Sequence, residues 1–386
     1  MPNNNNNNNN NKSTKCVHSG NLVDDKYYGN ISPIYPSITY DFIKSDVYPR
    51  YFNTPNQIGV CKKISDLENA ELSLLFGSGL GAIATTMLSL LKQGDHVILQ
   101  DSLYGGTINL VNTEFKKFGI EHSYVDVNDR KKLDSSLKKN SKVIYVESPS
   151  NPLLNIVDLS SISDFAKSNG LVSVIDNTFA SPINQNPIDL GIDLVIHSAT
   201  KYLGGHSDIL AGSVSGSKEK IEVIKSSGLN FGSNISEYTA WMLERSIKTL
   251  KIRVNAQNDN ALNLAKFLSE HNFVSKVFYP GLENHKNHDI AKIQMHGFGG
   301  MLSFELNSSI DPIKFVSDLK IIKPTMSLAG VESTITSPAL SSHKKMDPDI
   351  RRGLGISDNL LRFSVGIEDF EDLMLDLDNA LTKNGK

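Results

Sequence analysis

Lys201 sits in the run Val195-Ile196-His197-Ser198-Ala199-Thr200-Lys201-Tyr202, and Asp176 closes a second β-branched run, Val172-Ser173-Val174-Ile175-Asp176. An amine at a strand end can form a Schiff base with the aldehyde of pyridoxal 5'-phosphate (PLP). A carboxylate at another strand end can keep the pyridine nitrogen protonated, so that the ring accepts electrons. Ser198 and Thr200 would then donate to the phosphate. Gly77-Ser78-Gly79-Leu80-Gly81 opens a helical pattern, where free N–H groups and the positive end of the helix dipole favour an anion. The same glycines could serve a nicotinamide dinucleotide with Asp101 on the ribose, but their spacing is G-x-G-x-G and a glycine-rich turn alone is weak evidence. Plain helix-start glycines are the third reading.

Other residues add to the set. Tyr104, in Leu103-Tyr104-Gly105-Gly106-Thr107, follows a strand and could stack on a flat cofactor, although a tyrosine in a turn is commonly structural. Ser148-Pro149-Ser150-Asn151-Pro152 is a turn stiffened by two prolines, with an amide at Asn151 able to bond a phenolic oxygen or a carboxylate. Arg362 is a charge inside the apolar run Leu361-Arg362-Phe363-Ser364-Val365, and such a charge requires a partner. The α-carboxylate of an amino acid would fit its fork. His285 and His288 lie close together, and His206 and His343 are also present, but no third ligand matches the pair and no zinc site is expected. No G-x-S-x-G elbow supports a serine hydrolase.

These residues need a scaffold. Between about 60 and 247, helical patterns alternate with short apolar strands at 96–100, 143–147, 172–176, 194–198 and 210–214, which predicts a largely parallel sheet with ligands at its carboxyl ends. A long helix over 237–270 then leads to a smaller region with a strand at 301–306 and a helix at 369–381. Residues 12–56 read as an extended arm. The asparagine run Asn3 to Asn11 has nothing to bury and is expected to be disordered. The 386 residues carry 39 basic and 42 acidic side chains, a net charge of −3, so no general attraction to nucleic acid is expected. The pairs Lys62-Lys63, Lys116-Lys117 and Lys138-Lys139 read as solvated helix faces. No apolar stretch reaches the ~20 residues that a membrane span needs, nor does the start resemble a signal peptide, so a cytoplasmic home is the default. Cys16 and Cys61 read as ordinary thiols.

Together the motifs resemble the Cys/Met-metabolism family of PLP enzymes, the transsulfuration group that includes the cystathionine lyases and synthases and methionine γ-lyase. The resemblance runs from Thr14 to Leu381. It rests most on Ser198-Ala199-Thr200-Lys201-Tyr202-Leu203-Gly204-Gly205-His206-Ser207-Asp208, Asp176-Asn177-Thr178-Phe179, Tyr48-Pro49-Arg50-Tyr51-Phe52-Asn53 and Ser327-Leu328-Ala329-Gly330-Val331-Glu332-Ser333. It implies an α/β fold of PLP-dependent transferase type I, like aspartate aminotransferase, with a mostly parallel seven-stranded sheet and a smaller α+β C-terminal domain. The corresponding divisions are a tail at 1–11, an arm at 12–56, a PLP-binding domain at 57–248 and a small domain at 249–386.

By the same resemblance Lys201 carries the cofactor, Asp176 binds its ring nitrogen, Tyr104 stacks on the ring and assists proton transfer, and Gly79, Leu80, Thr178, Ser198 and Thr200 complete the cofactor site. Tyr48 and Arg50 reach the phosphate of a neighbouring subunit, in a homotetramer built as a dimer of dimers. Asn151, Ser327 and Arg362 face a small amino-acid substrate, and Glu332, which matches γ-type members, favours γ-elimination of L-cystathionine. γ-Synthase, β-lyase and methionine γ-lyase chemistry share the same cofactor site. Three departures from the family pattern bear on substrate choice: Ala329 where a glycine is frequent, Ser337-Pro338-Ala339-Leu340-Ser341-Ser342-His343 in place of a His-Pro-Ala…Met-Thr-His stretch, and Glu244 before Arg245.

Overall fold

Runs of Val, Ile and Leu that are buried on both faces build the centre of the first part of the chain, as a parallel sheet covered by helices requires. The computed structural model describes residues 11–342, 344 and 347–385, the side chain of Ile350 excepted. The asparagine run up to Asn10, and His343, lie outside the described residues.

The chain divides into two compact units. The first takes the residues up to Asp101 together with Gly106–Val146 and Asp158–Lys251; the second takes Ser102–Gly105, Glu147–Val157 and the residues from Ile252. The first unit holds β1 (Leu72–Phe76), β2 (His96–Gln100), β3 (Glu121–Val125), β4 (Ser141–Glu147), β5 (Val172–Asp176), β6 (Leu194–His197) and β7 (Gly212–Gly216), in the sheet order β1-β7-β6-β5-β4-β2-β3. β2 pairs in parallel with β3 and β4, and β5 with β6, while β7 runs antiparallel to β1 and β6. The register sets Asp176 beside Ile196, so β5 and β6 end together. β1 and β3 went unpredicted: β3, Glu-His-Ser-Tyr-Val, gives no apolar run, whereas β1, Leu-Ser-Leu-Leu-Phe, does give one, directly after a helix, and was missed.

The arm is irregular except for α1 (Lys12–His18) and a short 3₁₀ turn at Pro49–Tyr51. α2 (Pro55–Glu68) starts at Pro55 rather than near Val60. Its start is a capping box, in which Thr54 Oγ1 accepts the Gln57 N–H (3.4 Å) and Gln57 Oε1 accepts the Thr54 N–H (3.2 Å), with proline in the first turn. Asn56 and Gly59 dilute the periodic pattern there. The helix expected over 237–270 is two, Glu237–Ile247 and Leu250–Glu270. At the break the N–H and the hydroxyl of Thr249 both donate to the Ser246 carbonyl, a local bond that competes with the helical one.

Lys63 corrects the expectation of a solvated pair. Its side chain is wholly buried, and Nζ donates to the Cys16 carbonyl (2.9 Å) and to Asn21 Oδ1 (3.0 Å), tying the arm to α2. The other two pairs, Lys116-Lys117 and Lys138-Lys139, are exposed as expected, although the second lies past the end of the helix Arg130–Ser136. A buried amine needs such acceptors, and burial lowers its pKa from 10.5 to about 8.

In the second unit, β8 (Val274–Phe278), β9 (Met301–Leu306), β10 (Lys323–Pro324), β11 (Thr334–Thr336) and β12 (Leu360–Ser364) form a sheet of order β10-β11-β12-β9-β8. Leu361 and Phe363 of β12 pack with Leu302, Phe304, Phe315 and Leu377 in one apolar core. Strand alternation therefore sends Arg362 and Ser364 to the opposite face. No helix among the described residues is long and apolar enough to cross a membrane.

Because the folded pKa of Lys63 lies below its ordinary value, the unfolded chain binds that proton more tightly between pH 8 and 10.5. The cost of the buried charge is present in full below pH 8 and is relieved as pH rises through that window. Unfolding in denaturant should show the stability of the parent rising relative to Lys63→Met from pH 8 to 10. Parallel pH curves would show that the amine does not titrate in a buried site.

Candidate active site

In the first unit, Asp176 ends β5 with 5% of its side chain exposed. Its Oδ1 accepts the Thr178 N–H (3.0 Å) and the Thr178 hydroxyl, and Thr178 Oγ1 in turn accepts the Ser198 N–H (2.8 Å). One threonine thus joins the end of β5 to the end of β6. Burial pushes the Asp176 carboxyl above the ordinary carboxylate range, against the pull of the two Thr178 bonds and of His197. Beneath this end, His197 Nε2 and Glu68 Oε1 form a buried pair at 2.5 Å.

Ser198 faces the start of α3 (Gly79–Leu90). A Cβ on Gly79 would stand 2.6 Å from Ser198 Cβ and 2.8 Å from its Cα, so only glycine permits this approach. Ser78 caps the helix by accepting the Gly81 N–H (3.0 Å), and its carbonyl accepts that of Ala82 (3.0 Å). The N–H groups of Gly79 and Leu80 lie in the first turn, where the helix itself supplies no acceptor. Ser198, Gly79 and Leu80 therefore converge as an anion cradle.

Lys201 is half-buried in the turn after β6, its N–H bonded to the Ser198 carbonyl (3.0 Å). Thr200 is engaged elsewhere: its hydroxyl donates to the Ala211 carbonyl (3.1 Å) and accepts the Ala211 N–H (3.0 Å). It can serve a phosphate only by turning its one proton away from Ala211. Tyr48 and Arg50 are exposed on the arm. Arg50 lies over the rings of Tyr48 (5.7 Å) and Tyr51 (5.3 Å), and its Nη1 donates to the Leu229 carbonyl (2.6 Å).

In the second unit, Arg362 is 7% exposed. Nη1 donates to Asn151 Oδ1 (2.9 Å) and Nη2 to the Ser327 carbonyl (3.1 Å), so residues far apart in sequence meet at one guanidinium. Burial lowers its pKa to about 10, opposed by Tyr104 and Glu147, and it stays charged at neutral pH. Across the sheet from Arg362, Ser303 Oγ donates to the Pro152 carbonyl (2.7 Å), so β9 and β12 together hold the 147–157 stretch. Ser327 (φ 77°) and Ala329 (φ 63°) have left-handed backbone, which explains why glycine suits the second position. That shape is held by the Ala329 N–H on Ser364 Oγ (2.7 Å) and by Gln257 Nε2 on the Gly330 carbonyl (2.8 Å). Glu332 is exposed beyond this loop.

Glu147 went unassigned in the sequence. It is 4% exposed, and its two oxygens accept the backbone N–H groups of Tyr104 (2.8 Å) and Asn151 (2.9 Å). Its place at a predicted strand end was the one available signal. His285 is half-buried, and desolvation lowers its pKa to about 4. Among the described residues no three His, Cys, Asp or Glu side chains gather as a metal site would require.

A strand-end lysine, a buried strand-end aspartate and an anion cradle at a helix start, on a mostly parallel seven-stranded sheet, define a PLP enzyme of fold type I. The chain belongs to the Cys/Met metabolism PLP-dependent enzymes, whose pattern matches residues 13–382. It is 42% identical to a cystathionine beta-lyase of Lactococcus lactis subsp. cremoris, over 96% of this chain and 98% of that one. It is 40% identical to a cystathionine gamma-lyase of Bacillus subtilis (strain 168), over 96% and 99%. The crystal structure of cystathionine gamma-lyase from Lactobacillus plantarum complexed with L-serine superposes with a TM-score of 0.94 at 37% identity, covering 97% of this chain and all of that one.

The cofactor of this family is PLP, and the donor set fits it. The cradle at Gly79 and Ser198 suits a dianionic phosphate, Asp176 suits a pyridinium, and Lys201 supplies an amine. Gly79→Ala should drive α3 and Ser198 apart, weakening PLP binding about tenfold or more, as overpacking of ~1–3 kcal/mol implies. Fluorescence titration of the cofactor-free protein measures this, and unchanged affinity would separate Gly79 from the cofactor.

Proposed function

We propose that the protein is a carbon–sulfur lyase that cleaves L-cystathionine by γ-elimination, with water, to L-cysteine, 2-oxobutanoate and ammonia. The observation that carries the γ reading is Glu332. Its carboxylate is exposed just past the loop whose Ser327 carbonyl is bonded to Arg362, and a carboxylate there suits the distal ammonium of cystathionine. Cleavage on the β side, with water, to homocysteine, pyruvate and ammonia, is the second reading, favoured by the 42% identity to a cystathionine beta-lyase.

When bound, PLP supplies an aldehyde that condenses with amines and a protonated ring that withdraws electrons from the substrate's Cα. Asp176 holds the proton at the ring nitrogen, and Thr178 keeps its carboxylate oriented for that task. Lys201 would hold the cofactor through Nζ, and its amine, when free, would take the Cα proton. In γ-cleavage a second proton must leave Cβ before the γ-substituent departs, and Lys201 Nζ is the group we assign to it.

Arg362 grips the α-carboxylate, with Asn151 and the Ser327 carbonyl setting the plane of its fork. Tyr104 covers the ring and assists proton transfer. Gly79, Leu80 and Ser198 hold the phosphate, joined by Thr200 when its hydroxyl turns from Ala211. Tyr48 and Arg50 serve a neighbour's phosphate in a homotetramer of two dimers. The exposed Tyr28, Phe42 and Ile43 of the same arm support a second copy as its cover.

Product analysis with cystathionine as sole substrate tests the reading: 2-oxobutanoate marks γ-cleavage and pyruvate marks β-cleavage. The parent should release mainly 2-oxobutanoate, and Glu332→Ala should lower its ratio to pyruvate. A parent that releases mainly pyruvate would overturn the γ assignment. An unchanged ratio and affinity in the variant would remove Glu332 from specificity.

A further inference from the structure

Tyr104 and Asn151 are far apart in sequence, yet one buried carboxylate receives the main-chain N–H of both. Glu147 Oε2 accepts from Tyr104 (2.8 Å) and Oε1 from Asn151 (2.9 Å). Asn151 Oδ1 then accepts Arg362 Nη1 (2.9 Å), and Arg362 Nη2 reaches the Ser327 carbonyl (3.1 Å). A carboxylate offers two acceptor oxygens and no donor, so it can give each of the two N–H groups an oxygen of its own. Charged acceptors also make the stronger bonds, and leaving either N–H unpaired in this buried place is costly.

We infer that Glu147 is a positioning residue. By fixing the backbone of Tyr104 and of Asn151 at once, it sets the aromatic ring and the carboxylate-binding fork as one rigid unit. Glu147 touches neither substrate nor cofactor; it acts through Asn151 on Arg362 and through the main chain on Tyr104. Its negative charge also faces the buried guanidinium and steadies it before a substrate carboxylate arrives. The inference rests on the assignment of Arg362 to the substrate α-carboxylate and of Tyr104 to the cofactor ring.

Glycine has an α-carboxylate and no leaving group, so its binding to the cofactor-loaded enzyme can be followed by the cofactor's visible spectrum without turnover. In Glu147→Gln an amide nitrogen meets one of the two N–H groups. In Glu147→Asp the charge remains but the shortened chain reaches only one of them. Both variants should bind glycine about tenfold more weakly or worse, as expected for one lost bond to a charged acceptor. Both should keep the parent's affinity for PLP. Should the glutamine variant fail to fold, the aspartate variant carries the test alone.

Glycine affinity within twofold of the parent in a folded Glu147→Asp protein overturns the inference. So does a fall in thermal midpoint with unchanged glycine affinity, because that marks a purely structural acid. Arg362→Leu separates the two layers of the argument. If it leaves glycine binding intact, the carboxylate assignment itself fails; if it weakens binding while the Glu147 variants do not, only the positioning role fails.

Discussion

A buried carboxylate at the end of β5 is the constraint on which the first unit turns. To hold a proton on a pyridine ring, the role proposed for it, Asp176 would have to remain ionised, yet burial favours its neutral form. Thr178 works against that burial by giving it two donors, and the same hydroxyl oxygen takes the Ser198 N–H. The charge state of one side chain is thereby tied to the spacing of two strand ends. That spacing in turn brings Ser198 against Gly79, where α3 begins. The proposed acid for the ring and the proposed cradle for the phosphate are thus placed by one parallel pairing, Asp176 beside Ile196.

The second unit solves the opposite problem, a buried cation. Strand alternation places Leu361 and Phe363 in the apolar core and leaves Arg362 and Ser364 facing away from it. Arg362 ties down the Ser327 carbonyl and Ser364 the Ala329 N–H, so two residues of one strand face hold a loop with left-handed backbone at both positions. Backbone of that kind persists only where its surroundings over-determine it. Here it serves to keep a carbonyl on the guanidinium.

The legible parts of the sequence were those where an ionisable residue interrupts or ends an apolar run. Asp176 and Arg362 have that form, while Lys201 lies in the turn that follows such a run, and the strands at 96–100 and 172–176 fall at their expected bounds. What escaped notice acts through the main chain or through burial. Glu147 accepts backbone N–H groups, so no spacing of side chains betrays it. Lys63 sits beside another lysine and reads as solvent-facing, but a helix face turns about 100° per residue and only one of the pair points inward. Thr200 carries the right chemistry, but its hydroxyl is bonded to Ala211 in a contact that only the fold creates.

The central claim is that Lys201 is the amine that carries the cofactor. Borohydride reduction of the PLP-loaded enzyme fixes the cofactor to whichever amine holds it, and peptide mass spectrometry then reads the position. The account predicts the reduced cofactor on the peptide containing Lys201, with no label in Lys201→Ala. A label on another lysine of the parent, or the same label in the variant, would contradict it.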